Sequence, residues 1–183
     1  MLSARLALVD AELNPERFYA QDTVTARIYA KFDKAARILR IKARQKNVTC
    51  KLDGKTEFSW DVYPIFDIMP FVILDNAIKY SPKSYPVTIS FVENTGGLSV
   101  SVDSFGPTMA NDELSKAFTK YFRGQNAVSV TQDGEGIGLF LAKSIAELHE
   151  VDLRIQSGPA RTDISGVPYG TFTTQVDFRR GQH

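Results

Sequence analysis

Hydrophobic and polar positions alternate along this chain with two different periods, and the period changes mark its elements. Residues 25–29 read as a short strand. From Asp33 a basic amphipathic helix runs to about Gln45, with Ala36, Leu39 and Ile41 toward a core. Residues 47–52 and 56–60 alternate as two strands turning at Asp53-Gly54. Asp61 is placed to cap a second helix with Pro64 in its first turn; Pro70 should bend it, and Pro82 should stop it near Ser81. Its apolar stripe of Ile65, Phe66, Met69, Val72, Ile73 and Ala77 is interrupted by one amide, Asn76.

Two further strands, 86–92 and 98–102, meet at Thr95-Gly96-Gly97, and residues 104–110 read as a loop. Asn111, with Asp112 and Glu113, starts a short helix whose acids suit its positive end. Residues 124–135 are polar and glycine-punctuated and read as a mobile segment. A third clear helix spans 137–149, with Ile137, Leu141, Ile145 and Leu148 on one face. Strands near 151–155 and 170–178 close the pattern. The expected fold is a two-layer α/β sandwich, one mixed sheet covered on one face by helices, over residues 24–183. Residues 1–23 read as a linker or the remnant of a preceding helical region, because Asn14-Pro15 breaks their helical spacing.

Composition narrows the chemistry. The 22 basic and 21 acidic residues nearly cancel, so neither nucleic acid nor an anionic membrane is an expected partner. One cysteine, Cys50, excludes an internal disulfide and a cysteine metal cluster. No apolar stretch is long enough to span a bilayer and no signal peptide is visible, so the chain reads as cytoplasmic.

The strongest candidate chemistry lies in Gly134-Glu135-Gly136-Ile137-Gly138, between a polar loop and a helix start. Helix starts present unpaired N–H groups, and glycines let a phosphate approach the backbone; glycine-rich turns are also common without any ligand. A Rossmann pattern fails because Leu139 stands where the third glycine belongs, and no Gly-Lys-Ser/Thr occurs for a Walker loop. On the second helix, Asn76 offers an amide oxygen suited to Mg²⁺, with Lys79 three residues on and on the same face.

Taken in order, these pieces resemble a known family. Asn76-Ala77-Ile78-Lys79-Tyr80-Ser81 is similar to the N box of sensor histidine kinases, within the superfamily of gyrase, Hsp90 and MutL ATPases. Residues 104–109 resemble the first glycine box, 118–124 the phenylalanine box, 134–139 the second glycine box, and Gly170-Thr171-Phe172 the final glycine-threonine element. Asn76, Gly106 and Gly136 fall about thirty residues apart, as in that family.

The resemblance implies ATP and Mg²⁺ as cofactors. It implies that Asn76 holds Mg²⁺, that Lys79 and Tyr80 contact phosphate or the nucleotide edge, and that Gly106 admits adenine. Residues 124–135 would be a lid. Gly136 and Gly138 would face the phosphates, with Gly134, Ile137 and Leu139 also in the ATP site; Thr171 would reach adenine through water; and Lys120 and Arg123 would either neutralise phosphate or stand as solvated charges on a loop. Ser104 stands where the family has an Asp for the adenine amino group, and Asp103, one residue early, could replace it only through a bulge. Thr108 stands where a second glycine is usual. Val72 stands where hydrolytic members carry a base, so self-contained hydrolysis is not expected.

The implied function is phosphoryl transfer from Mg·ATP to a histidine on a dimerisation region and onward to a response regulator, in a parent protein that can be membrane-anchored. His149 reads as structural, leaving the phosphoacceptor elsewhere. The alternatives are a catalytically weak nucleotide-sensing module and a stand-alone serine kinase of the anti-sigma type.

Overall fold

The computed structural model describes residues 22–132 and 134–179. The first half comprises β1 (Val24–Arg27), α1 (Ile28–Gln45), β2 (Cys50–Asp53), β3 (Ser59–Val62), a 3₁₀ turn (Pro64–Asp67) and α2 (Ile68–Tyr80). Then come β4 (Val87–Asn94), β5 (Gly97–Pro107), α3 (Asn111–Leu114), α4 (Gln125–Val130), α5 (Gly138–Leu148), β6 (Asp152–Ser157), β7 (Thr162–Ile164) and β8 (Val167–Arg179).

The sheet order is β2-β4-β5-β8-β6, with β7 pairing the start of β8. Only β2–β4 is parallel, so the sheet is mixed as expected. Alternation decides its two faces. Ile89 faces Val102, Val100 faces Val176 and Leu98 faces Phe178 across the ladders, and all six are buried. They pack under α1, α2 and α5 in a single core cluster. The opposite face carries Ser99, Ser101, Asp103, Thr173 and Gln175. Each large apolar side chain buried in this layer stabilises the fold by about 2 kcal/mol. α2 lies between α1 and α5, which makes it the central helix of the layer.

Several elements depart from the sequence pattern. α1 starts at Ile28, five residues before Asp33, and takes the end of the expected strand. Asp33 instead pairs with Arg37 within the helix, at 2.7 Å. Ala36 and Leu39 enter the core, but Ile41 is 70% exposed. The segments around Asp53-Gly54 do not form a hairpin: β2 joins β4, and β3 pairs with β1 in a separate ribbon. Asp61 lies in β3, where its carboxylate accepts from Thr25 at 2.6 Å, and caps no helix. Pro70 falls in the first turn of α2, where a missing N–H costs nothing, so the break comes earlier, at the 3₁₀ junction. α2 ends at Tyr80 as expected. β5 continues through Pro107 and absorbs residues 104–107 of the expected loop. β7 has no counterpart in the sequence reading. Residues 1–21, and so most of the expected N-terminal linker, lie outside the described residues, as does His183.

Among the described residues no helix is long and apolar enough to cross a membrane.

Candidate functional site

A cavity of about 700 Å³ opens between α2, the ends of β5 and β8, and the chain leading into α5. Residues one turn apart on α2 share a face. Val72, Asn76 and Tyr80 therefore line the cavity together, while Ile73, Leu74 and Ile78 are buried in the core behind them. The carboxamide of Asn76 makes no hydrogen bond among the described residues. The carboxylate of Asp75 beside it is taken by Lys42 of α1. Lys79 also lines the cavity, with its ammonium 5.2 Å from the centre of the Tyr80 ring.

The glycine run forms the facing wall, and its glycines differ in what requires them. Gly136 has φ +70°, and a Cβ there would fall 2.4 Å from the Phe122 carbonyl oxygen. Tyr121, itself at φ 67°, donates its N–H to the Gly136 carbonyl at 3.0 Å. Protein packing alone therefore demands a glycine at 136. Gly138 is the opposite case. It is the first residue of α5, it lines the cavity, and a Cβ on it would meet nothing within 4 Å. Its N-cap, Ile137, provides no side-chain cap, and the first turn carries no acid. The positive end of α5 is thus left open toward the cavity, an arrangement that suits an anion. Gly134, at φ +131°, also lines this wall; a Cβ there would stand 2.1 Å from the Lys79 ammonium. Ile137 and Leu139 complete the run.

The other end of the cavity is walled by apolar side chains, Pro107, Met109 and Phe172 among them. Ser104 lines it, donating its hydroxyl to the Phe172 carbonyl at 3.2 Å and keeping lone pairs free to accept. The β5–β8 register runs without interruption from Gly97 to Pro107, so no bulge redirects Asp103. Asp103 points to the opposite face and accepts from Thr173 at 2.5 Å. Gly106 is buried, with room for a Cβ at ordinary contact distance from Phe172 and Tyr80, 3.8 and 3.9 Å.

Four expected site residues are placed differently, and the first is Gly106, which lies outside the cavity lining. Thr171 is exposed on the far face of the sheet opposite Phe105, and Phe172 lines the cavity in its place. Counting back by twos from the buried Phe178, Val176 and Thr174 arrives at Phe172, so alternation held the signal. Lys120 lies outside the cavity lining, with its ammonium 5.2 Å from the Tyr121 ring centre and 6.0 Å from that of Phe140. Arg123 does line the cavity, yet its guanidinium donates to the carbonyls of Thr131 and Gln132 just after α4. Its buried Nε has no partner among the described residues. Asn126 donates to the Thr108 carbonyl at 2.8 Å, and Glu113 accepts from the Gln125 N–H at 2.7 Å. Within the segment expected as a mobile loop, Gln125–Val130 is therefore a short helix tethered at both ends. The sequence reading also gave no site role to Phe71, Met109 and Phe122, apolar wall residues of which the last two fall within the first glycine and phenylalanine boxes.

His149 is 5% exposed and lies outside the cavity. Its Nδ1 donates to the Ile145 carbonyl at 2.7 Å, and its Nε2 accepts the Tyr63 N–H at 3.0 Å. Both nitrogens are spent on the neutral ring. Burial pushes its pKa down, against a smaller upward pull from the bond to Ile145.

The donor set fits one kind of ligand. A lysine, an open helix start and a free amide oxygen at one end suit phosphates with a hard cation; apolar walls with a hydroxyl acceptor at the other suit a heterocyclic base. Among the described residues no group of three His, Cys, Asp or Glu side chains stands together, so a cation would rest on Asn76 and the ligand's own oxygens.

Comparison with known proteins agrees. Residues 71–179 match the family model described as histidine kinase-, DNA gyrase B-, and HSP90-like ATPase. The chain is 33% identical over 87 residues to the sensor-like histidine kinase SenX3 of Mycolicibacterium smegmatis, covering 48% of this chain and 23% of that protein. It is 33% identical over 90 residues to the sensor histidine kinase YkoH of Bacillus subtilis, covering 49% and 19%. The chain thus spans about a quarter or less of the curated relatives it matches. In fold it is similar to the catalytic domain of histidine kinase ThkA, with a TM-score of 0.65 at 14% identity, over 86% of this chain and 96% of that one.

Proposed function

The chain belongs to the family of histidine kinase-, DNA gyrase B- and HSP90-like ATPases, and from that premise we propose that it is the Mg·ATP-binding catalytic domain of a sensor histidine kinase. The observation that carries this reading is the open N-terminus of α5 at Gly138, which shares one cavity with Lys79 and the unengaged amide of Asn76. The sensor-kinase relatives support the choice among the family's activities.

In this reading Lys79, Gly134 and the α5 N-terminus hold the phosphates, and Asn76 supplies one oxygen to Mg²⁺. Ser104 accepts from the adenine amino group, with Tyr80 and Phe172 walling the base. Bound Mg·ATP supplies the transferable phosphoryl group, and the chain supplies position and positive charge. Val72, one turn before Asn76, is no base; of the carboxylates that line the cavity, Asp75 is held by Lys42 and Glu135 stands on the facing wall with the glycine run. The phosphoryl group therefore passes to a nucleophile. His149 is buried with both ring nitrogens bonded and lies outside the cavity, so in this reading the acceptor is a histidine outside the described residues, on a dimerisation region, and a response regulator receives the group in turn. Both partners, and the cytoplasmic setting, belong to this proposal.

A second reading, a nucleotide-sensing module with weak catalysis, draws on Ser104, a neutral acceptor with its proton already committed to Phe172.

Titration calorimetry with ATP should show binding that strengthens with Mg²⁺, and Asn76→Ala should remove most of that magnesium dependence, weakening ATP by about tenfold. Incubation with labelled ATP and the parent protein's helical region should then yield acid-labile phosphate. Acid-stable label would point to serine, no label with intact binding to the sensing module, and no binding at millimolar ATP would sink both nucleotide readings.

A further inference from the structure

Lys46 follows α1 directly and reaches across to the last turn of α2. Its ammonium donates to the carbonyls of Ile78 at 3.1 Å, Lys79, and Ser81 at 3.0 Å. An ammonium has three N–H groups, and all three are used. The carbonyls in the last turn of a helix find no partner within it, and a positive charge suits that end of the dipole. One turn earlier on α1, Lys42 pairs with Asp75, the neighbour of Asn76. The two lysines therefore grip α2 from its α1 side, over the stretch that carries Asn76, Lys79 and Tyr80 into the cavity.

This grip has an electrostatic cost. Burial pushes the Lys46 amine below its usual range, and nearby Lys42 and Lys79 push the same way. A neutral donor could tie a helix end without crowding three cations. Crowding them is favourable when an anion lies in front of Lys79, because the added positive potential then acts on the ligand.

We propose that Lys46 is a positioning residue of the nucleotide site: its three hydrogen bonds fix the last turn of α2 and so the reach of Lys79 into the phosphate end of the cavity. The role rests on the nucleotide reading above. It predicts a selective defect. Contacts to phosphate are lost when the turn loosens, whereas contacts to the base, made also from Ser104 and Phe172, persist.

The test titrates the full chain with ATP and with adenosine. Lys46→Met should lower the ratio of ATP to adenosine affinity by roughly tenfold, as loss of charge-assisted hydrogen bonds does. Lys31→Met is the control, because Lys31 holds the start of the same helical segment through Asp67 at 2.5 Å, away from the cavity. It should lower the unfolding midpoint and leave the ratio unchanged. If Lys46→Met does not fold, Lys46→Gln is read in the same way. An unchanged ratio in the folded Lys46 variant, or an equal fall in Lys31→Met, overturns the role of Lys46 while leaving the nucleotide site intact. A wild-type chain that binds no ATP overturns the nucleotide reading, and this proposal with it.

Discussion

Gly136 and Gly138 stand two residues apart and are glycine for different reasons. At 136 the backbone is left-handed and pressed against the Phe122 carbonyl. At 138 the backbone is helical and the missing Cβ faces open cavity. Gly136→Ala should therefore destabilise by about 1–3 kcal/mol, seen as a lower denaturant midpoint. Gly138→Ala should leave that midpoint unchanged or slightly higher, since alanine is the better helix former, yet weaken ATP measurably in calorimetry. A Gly138→Ala variant that binds ATP like the wild type would remove the argument for phosphate at this helix start. The sequence alone left the two glycines indistinguishable, because the clash that separates them comes from residues 121–122, which reach Gly136 only through the fold.

At the scale of elements, the helices were legible and the strand partners were not. α2 and α5 declared themselves through their apolar stripes, and Pro82 marked the end of α2, because such signals act within one or two turns. α1 was found but mis-bounded. Its start at Ile28 follows from docking of its apolar face, with no side-chain cap at Arg27 to announce it. That docking also decides which aliphatic residues matter. Leu39→Ala should cost about 3 kcal/mol in denaturant unfolding, whereas Ile41→Ala should fall within about 0.5 kcal/mol of wild type. A large loss at Ile41 would mean that this face of α1 is covered. β2 and β3 alternate like any strands, and the turn between them invited a hairpin. Their true partners, β4 and β1, are distant in sequence: β2 joins the main sheet beside β4, and β3 pairs with β1 in a ribbon of its own. The face of Thr171 was likewise a matter of parity along β8, counted correctly only from its buried end.

For the whole molecule, His149 joins pieces the sequence keeps apart. Its ring bonds the chain entering the 3₁₀ turn to the end of α5, and its carbonyl accepts from the Trp60 indole at 3.2 Å. Burial holds the folded imidazole below its ordinary value, while the unfolded one titrates near about 6.5. The unfolded chain then binds more protons over this range. The contribution is complete above about pH 6.5 and is lost as pH falls through the folded value. Urea midpoints should fall between about pH 7.5 and 5.5, and His149→Phe should flatten that slope whatever its overall stability. Burial also pushes the Asp67 and Asp177 carboxyls up, but hydrogen bonds and ion pairs outweigh it, so they titrate below this window. An unchanged slope in the variant would reject His149 as the titrating group.

The sequence by itself determined the local chemistry: a glycine run opening a helix, an amide on an apolar helix three residues before a lysine, and the order and spacing that point to the family. Interactions within a few residues set these features, so they survive without the fold. Only the tertiary structure decided which groups meet. It turned Thr171 away and brought Phe172 in, spent Arg123 on the carbonyls after α4, buried His149 as a neutral ring, and set Lys46 on the carbonyls at the end of α2. The first of these follows a strand parity that only the buried end of β8 anchors, and the others depend on burial and on contacts between segments, which no local pattern encodes.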